Sequence, residues 1–202
     1  MTVFFTSDHH FGHARIIELA HRPFDSVDHM HSVLIQRWFE MVTPKDTVYH
    51  LGDLALGSIE KSMEIAASLP GKKYLIPGNH DRVSSTESRS RQERYRHLYT
   101  DAGFEILPEQ IEVDLAELAG ADGNCPVRLC HYPPFGDSHS DKDRFVHLRP
   151  PMDIPVIHGH THQADPGNGF FVHIGVDGRD YRPVSAAAIL EEIRAAQEKS
   201  QQ

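Results

Sequence analysis

The sequence predicts an α/β fold, a four-layer α-β-β-α sandwich with two mixed sheets. The first half alternates β-branched and aromatic runs with helical segments, and the second half consists mainly of short strands. A chain of 202 residues has the size of one domain, so residues 1–202 are expected to form a single domain. Ligands in such folds collect beyond the carboxyl ends of the strands, and the functional site is expected there.

Strands and helices alternate in the first half of the chain. The predicted strands cover 2–7, 47–51 and 73–76, and the predicted helices cover 14–20, 30–42 and 58–69. The strands are rich in β-branched and aromatic residues, and the third helix begins at Ser58, a residue type that caps helices. This order is typical of β-α-β units with parallel strands.

Short strands dominate the second half, after one helix in a polar, arginine-rich stretch. The predicted elements are a helix at 92–99, strands at 104–107, 110–115, 127–130, 154–158 and 170–174, and a closing helix at 185–199. Residues 121–124 have the composition of a hairpin turn. Residues 133–151 carry four prolines and many charges, which predicts either a loop or lid near the site or a plain irregular connection.

Composition excludes several classes of protein. No apolar run reaches the ~18–20 residues of a membrane span, and the start of the chain lacks a secretory signal, so a cytoplasmic protein without membrane contact is expected. The formal net charge of -9 disfavours long nucleic acid as a partner, since such binding depends on neutralising phosphates. The two cysteines, Cys125 and Cys130, are expected to be buried free thiols.

Sixteen histidines are far more than a chain of this length usually carries, which points to metal ligands or proton carriers. Asp, His and Asn residues follow five of the predicted strands. The candidate metal ligands are Asp8, His10, Asp53, Asn79, His131, His160 and His162. Their convergence at one end of the sandwich would make a metal site.

Taken one at a time, the motifs differ in how specifically they indicate a metal or catalytic site. An isolated Asp-x-His, as at Asp8 and His10, is more often a polar loop, and Gly-Asp at Asp53 is more often a turn. Asn79-His80-Asp81 is more specific, because it combines an amide oxygen for a metal, an imidazole for proton transfer and a carboxylate that could orient the imidazole. The catalytic candidates are therefore His80 and Asp81.

Together these motifs resemble the five signature motifs of the calcineurin-like metallophosphoesterase superfamily. The motifs are Asp8-x-His10, Gly52-Asp53, Gly78-Asn79-His80-Asp81, His131 and Gly159-His160-x-His162. The flanking segments Phe11-Gly12-His13, Arg22-Pro23-Phe24, Gly175-Val176-Asp177 and Tyr181-Arg182-Pro183 are similar to a small bacterial and phage branch of predicted phosphoesterases. No member of the five motifs is missing.

The resemblance implies a role for each motif residue. Asp8, His10 and His162 would hold one metal ion, Asn79, His131 and His160 would hold a second, and Asp53 would bridge them. His80 would stand beside the phosphate as a general acid or charge stabiliser, with Asp81 behind it. Two divalent ions ~3.5–4 Å apart can clamp a phosphate and supply hydroxide for its hydrolysis. Oxygen and imidazole ligands favour Mn²⁺, then Fe, then Zn²⁺.

The substrate is less well specified. We expect a phosphodiesterase acting on small molecules or nucleotides, including cyclic nucleotides; the alternatives are a phosphomonoesterase, a nuclease for short substrates and a non-catalytic scaffold of the same fold. His13 is a candidate phosphate contact. Arg89, Arg91 and Arg94 either bind a second charge on the substrate or belong to a solvated helix face. An oligomer is possible.

Overall fold

The computed structural model describes residues 1–138 and 144–200. The strands are β1 (Val3–Thr6), β2 (Thr47–His50), β3 (Lys72–Leu75), β4 (Phe104–Ile106), β5 (Gln110–Asp114), β6 (Pro126–Cys130), β7 (Val156–His158), β8 (Phe171–His173) and β9 (Val184–Ser185). The helices are α1 (Ile16–Leu19), α2 (Val27–Met41), α3 (Ile59–Ser68), α4 (Arg89–Asp101), α5 (Leu115–Ala119) and α6 (Ala186–Ser200).

The strands form two mixed sheets, which confirms the predicted fold class. One sheet has the order β4-β3-β2-β1-β9, and the other has the order β5-β6-β7-β8. Only β9 in the first sheet and β5 in the second run antiparallel to their neighbours. The remaining strands are parallel within each sheet, so their carboxyl ends lie at one edge of it. An isolated parallel bridge between Ser7 and Gly175 joins the segment after β1 to the segment after β8.

Side chains of successive residues in β1 alternate between two apolar clusters. Phe4 belongs to a cluster that α2, α3 and α4 build on one face of the five-stranded sheet, with Trp38 and Leu34 completely buried. Val3 and Phe5 belong to the other cluster, which includes residues of the second sheet and of α5 and α6. This alternation follows from the two-residue period of a strand.

Two elements differ from the sequence prediction. The connection between β5 and β6 is a short helix, α5, where a plain hairpin turn was expected. Asp114 ends β5 and caps α5, because its Oδ1 accepts hydrogen bonds from the amides of Ala116 (2.9 Å) and Cys125 (3.0 Å). The second unpredicted element is β9, which has only two residues and pairs with β1.

The predicted loop at residues 133–151 connects β6 to β7, and its residues 139–143 lie outside the described part of the chain. Val146–Leu148 forms a single 3-10 turn within it. Cys125 and Cys130 are buried and free, as expected. Within the described residues, none of the helices has the length and apolar character required to cross a membrane.

Candidate metal centre

Two groups of candidate ligands meet where the carboxyl ends of the strands converge. Asp8, His10 and His162 each place one ligand atom within 4.8 Å of the others, and Asp53, His131 and His160 form a second such group. We call these cluster 1 and cluster 2. The strand ends of both sheets contribute to the clusters, since Asp8 and Asp53 follow β1 and β2 while His131 and His160 follow β6 and β7.

The carboxylate of Asp53, a member of cluster 2, also faces cluster 1. Its Oδ2 is 3.5 Å from Nε2 of His10 in cluster 1, and its Oδ1 is 3.5 Å from Nε2 of His131 in cluster 2. The side chain is 1% exposed. One oxygen therefore faces each group, which is the arrangement that a bridging carboxylate requires.

The histidines of cluster 2 face each other with nitrogens that have no proton to share. Nδ1 of His131 lies 2.8 Å from the carbonyl oxygen of Leu51, and Nε2 of His160 lies 3.2 Å from Oδ1 of Asp137. These oxygens only accept, so each ring donates its proton there. The remaining nitrogens stand 3.2 Å apart. Two lone pairs repel at this distance, whereas two nitrogens bound at ~2.0–2.1 Å to one ion are held about 3 Å apart.

Cluster 1 also holds polar atoms that lack a partner. Nδ1 of His162 lies 2.8 Å from Oδ2 of Asp177, which leaves Nε2 of His162 for a ligand role. Nε2 of His10, in this cluster, is buried and has no hydrogen-bond partner, and the same is true of Oδ1 of Asn79, which belongs to neither cluster as defined. Burial lowers the pKa of His10 far below its usual value, so its ring is neutral and can offer a lone pair. These orphaned atoms fit divalent metal ions.

The backbone at these positions is strained. Among the candidate ligands, five adopt the left-handed conformation, with φ of +61° at Asp8, +52° at His10, +54° at Asp53, +73° at His160 and +53° at His162. Non-glycine residues rarely adopt this conformation, and such strain concentrates at functional sites. The surrounding fold therefore maintains a costly geometry at the atoms where a metal would bind.

Two glycines of the motifs allow close approach to the carboxylates. A Cβ atom on Gly78 would stand 2.3 Å from Oδ1 of Asp53, and one on Gly159 would stand 2.4 Å from Oδ2 of Asp8. Any larger residue would displace a candidate ligand. The glycines of Gly-Asn-His-Asp and Gly-His-x-His are thus required sterically.

Asp81 does not take the expected place behind His80. Its Oδ2 accepts hydrogen bonds from the amides of Asp53 and Gly78, both at 2.8 Å, and its Oδ1 accepts one from Leu54 at 3.2 Å. Burial and the nearby charge of Asp53 raise its pKa. The prediction that Asp81 orients the imidazole is therefore corrected: this carboxylate holds the backbone that carries Asp53.

His80 lies at the mouth of a cavity of about 380 Å³ beside cluster 1, which we call the metal-side cavity. Its lining includes His10, His13, His80, Arg144, Thr161 and His162. The side chain of His80 is 38% exposed, and its Nε2 is 3.9 Å from Oδ2 of Asp53. His13 is half-buried, with its ring centroid 6.0 Å from that of His80. Both imidazoles line the same cavity.

The three arginines proposed as substrate contacts do not line this cavity. Arg89 is paired with Glu93 and its side chain is 92% exposed, while Arg91 is paired with Glu87. Arg94 lies over the ring of Tyr95. The pair Arg89–Glu93 has the i,i+4 spacing of neighbours on α4, and all three arginines already have local partners. The alternative of a solvated helix face therefore replaces the expectation that they bind the substrate.

Three further residues, Arg22, Asp137 and Asp177, support the clusters, and none of them was assigned a role from the sequence. Asp177 accepts hydrogen bonds from Arg22 through both oxygens, at 2.7 and 2.9 Å, in addition to its contact with His162. Burial alone would raise the pKa of Asp177, but His162 and Arg22 lower it to about 2. Asp137 is likewise buried beside His160 and paired with Arg144 at 2.8 Å.

The sequence gives a signal for some of these supporting residues and none for others. Arg22 and Asp177 lie in flanking segments that resemble the bacterial and phage branch, although their contact spans 155 positions. Asp137 lies in the loop after β6 and belongs to no motif. Nothing in its sequence surroundings signals a contact with His160.

Comparison with known proteins agrees with this site. The calcineurin-like phosphoesterase superfamily domain matches residues 1–175, so the chain belongs to that superfamily. The protein is 32% identical to the gene 66 protein of Mycobacterium phage L5, over 86% of this chain and 85% of that protein. It is also 32% identical to the gene 66 protein of Mycobacterium phage D29, over 87% of each.

A crystal structure shares the fold. A protein of unknown function from Aquifex aeolicus superimposes with a TM-score of 0.66 at 24% identity, and the alignment covers 94% of this chain and 98% of that one. This likeness independently supports the α/β architecture with two mixed sheets.

Removal of the acceptor for His160 is expected to weaken metal binding. Asp137→Ala leaves Nε2 of His160 without its acceptor, and the affinity for Mn²⁺ should fall roughly 10- to 100-fold. Calorimetric titration of the metal-free protein measures it. Asp153→Ala is the matched control, because Asp153 also pairs with an arginine, Arg128, but lies away from the clusters. Equal affinities of the two variants would contradict the role given to Asp137.

Proposed function

We propose that this protein is a phosphodiesterase that hydrolyses small phosphodiesters, including nucleotides and cyclic nucleotides, with two divalent metal ions. Membership of the superfamily supports metal-dependent phosphoester hydrolysis in general. The observation that carries the two-metal proposal is Asp53, whose oxygens each face a different cluster of candidate ligands. Mn²⁺ is the proposed ion, with Fe or Zn²⁺ as alternatives.

The proposed ligand sets extend the two clusters by Asn79, which the resemblance to the superfamily motifs assigns to the second ion. Asp8, His10 and His162 would hold one ion, Asn79, His131 and His160 would hold the other, and Asp53 would bridge. When bound, such a pair of ions orients the phosphate and lowers the pKa of a water molecule. The protein supplies the fixed positions: Asp81 and the close approach of Gly78 hold Asp53, while Asp137 and Asp177 orient one histidine in each cluster.

His80 is the proposed general acid. Its backbone amide donates to Oδ1 of Asp53 at 2.9 Å, which fixes the residue beside the bridging position. Its ring reaches the metal-side cavity and belongs to neither ligand cluster. His80 could therefore give a proton to the leaving oxygen, or stabilise the charge that develops there.

The charge of the metal-side cavity favours a diester over a monoester. Among its described lining residues, Arg144 is the one that is always cationic, and Asp137 already pairs with it at 2.8 Å. The two metal ions would balance most of the charge of either ester, so the comparison concerns the additional charge of a monoester, for which the described lining offers no further unpaired cationic side chain. Phosphomonoesterase and short-substrate nuclease activities are the alternative outcomes of a substrate panel.

The other proposals concern the whole protein. A non-catalytic scaffold would not require His80 or a complete set of ligands, so the full set favours an enzyme. We propose a cytoplasmic location, which the two buried free thiols support. A small phosphoester is the proposed partner.

Metal content tests the two-ion proposal. Wild-type protein loaded with Mn²⁺ should retain about two ions per chain after removal of the excess. Asp53→Asn should lose metal from both clusters, whereas His162→Asn should mainly lose metal from cluster 1. Elemental analysis measures this. An active preparation that holds one ion or none would rule the proposal out.

A substrate panel tests the preference for diesters. With Mn²⁺, kcat/KM for bis(p-nitrophenyl) phosphate should exceed that for p-nitrophenyl phosphate by about tenfold or more, because beyond the metal ions the described lining has no unpaired cationic side chain for the additional charge of the dianion. Cyclic nucleotides extend the panel to the proposed substrate class. A higher kcat/KM for the monoester would assign the protein to the phosphomonoesterases.

Replacement of His80 tests its catalytic role. His80→Ala should retain both metal ions while kcat falls by roughly 10²–10⁴, the usual contribution of a positioned acid. The loss should be smaller for a p-nitrophenyl ester, since p-nitrophenolate leaves without a proton. His97→Ala on α4 serves as a control histidine outside the cavity. If metal is lost in parallel with activity, His80 is a ligand and the assignment is wrong.

A further inference from the structure

A second cavity of about 260 Å³ lies beside the metal-side cavity. Its lining includes Phe135, His158, Thr161, Gln163, Phe171 and His173, and we call it the ring pocket. Thr161 lines both cavities and stands between His160 and His162 in the sequence. The two cavities therefore adjoin at the metal centre, and one ligand could occupy both.

The ring pocket has aromatic walls. Phe135 and Phe171 pack edge to face, with centroids 5.0 Å apart and ring planes at 88°. Phe135 is nevertheless 59% exposed. Pro133 and Pro134 add further apolar surface. Exposed aromatic faces of this kind stack well on planar rings.

The pocket also offers polar side chains that a ligand can reach. Gln163 and Asn168 line it and are exposed. Oδ1 of Asn168 already accepts hydrogen bonds from the amides of Phe170 and Phe171, whereas the amide group of Gln163 can both donate and accept. A ring with donors and acceptors on its edge suits these groups better than a hydrocarbon ring.

The charge of the pocket excludes an anionic occupant. Its described lining contains no lysine or arginine, and Asp165 is its one acidic residue. A second phosphate would meet no compensating cation there. An uncharged ring suits this lining better.

We propose that the ring pocket binds an uncharged planar ring with hydrogen-bonding edges, such as a nucleobase, on the same substrate whose phosphate lies at the metal centre. This inference rests on the proposed phosphodiesterase function and narrows its substrate class to nucleotides. Phe135 would stack on the base, while Gln163 would bind its edge. The ribose or deoxyribose would pass beside Thr161 and leave the phosphate at the clusters.

Two substrates with the same leaving group test the pocket: the p-nitrophenyl ester of thymidine monophosphate and methyl p-nitrophenyl phosphate. Phe135→Ala should lower kcat/KM for the thymidine ester about tenfold, mainly through KM, and change the methyl ester less than about twofold. Phe39→Ala is the matched control, since Phe39 is similarly exposed (54%) but lies on α2, outside both cavities. Equal effects of Phe135→Ala on both substrates would overturn the proposal.

A second pair of variants tests the polar edge of the pocket. Gln163→Leu should reduce kcat/KM for the thymidine ester severalfold relative to the methyl ester, and Gln163→His should restore part of it because it retains a donor and an acceptor. If Gln163→Leu leaves the ratio of the two kcat/KM values at its wild-type level, the edge of the base is not bound here.

Failure of the proposed function is distinguishable from failure of the pocket. If the protein with Mn²⁺ hydrolyses neither ester, the phosphodiesterase proposal is wrong, and titration of thymidine alone by NMR then decides the pocket. Thymidine should shift resonances of pocket residues in wild type and bind several times more weakly to Phe135→Ala. Hydrolysis of both esters together with an absence of thymidine shifts would overturn the pocket while leaving the phosphodiesterase in place.

Discussion

The carboxylate of Asp53 is buried between two groups of imidazoles, and its position is fixed from several sides. The amide of His80 donates to one of its oxygens, Asp81 holds its own amide, and Gly78 approaches it more closely than any other residue could. A buried carboxylate without a counterion is costly. Divalent cations bound between this carboxylate and the neighbouring imidazoles would offset that cost. Folding and metal binding are therefore expected to be linked.

The two sheets are joined differently at their two ends. Over most of the interface, apolar side chains such as Phe5, Leu129 and Ile157 belong to one cluster. At the end that carries the site, the contact is polar: Asp8 accepts hydrogen bonds from the hydroxyl of Ser7 and from the amide of His160 in the other sheet. The residues that would bind metal thus also tie the sheets together.

Much of the fold and of the site could be predicted from the sequence, because both depend on short-range patterns. Alternating apolar residues indicated the longer strands, and the Asp, His and Asn residues that follow them indicated the clusters. The five-residue helix α5 was not predicted, because its formation depends on a cap by Asp114 and on burial of Leu115, which composition does not reveal. The roles of Asp137 and Asp177 and the existence of the ring pocket could not be predicted, because they depend on contacts between distant segments.

The left-handed backbone at five of the candidate ligands has a practical consequence for anyone who wishes to inactivate the protein. Aspartate, asparagine and histidine tolerate positive φ better than most residues, and these are also oxygen and imidazole ligands of metals. Alanine at Asp8 or His160 would remove a ligand and add backbone strain at once, which confuses inactivation with unfolding. Asparagine keeps the tolerance, so it gives the cleaner inactive protein for trapping a bound substrate.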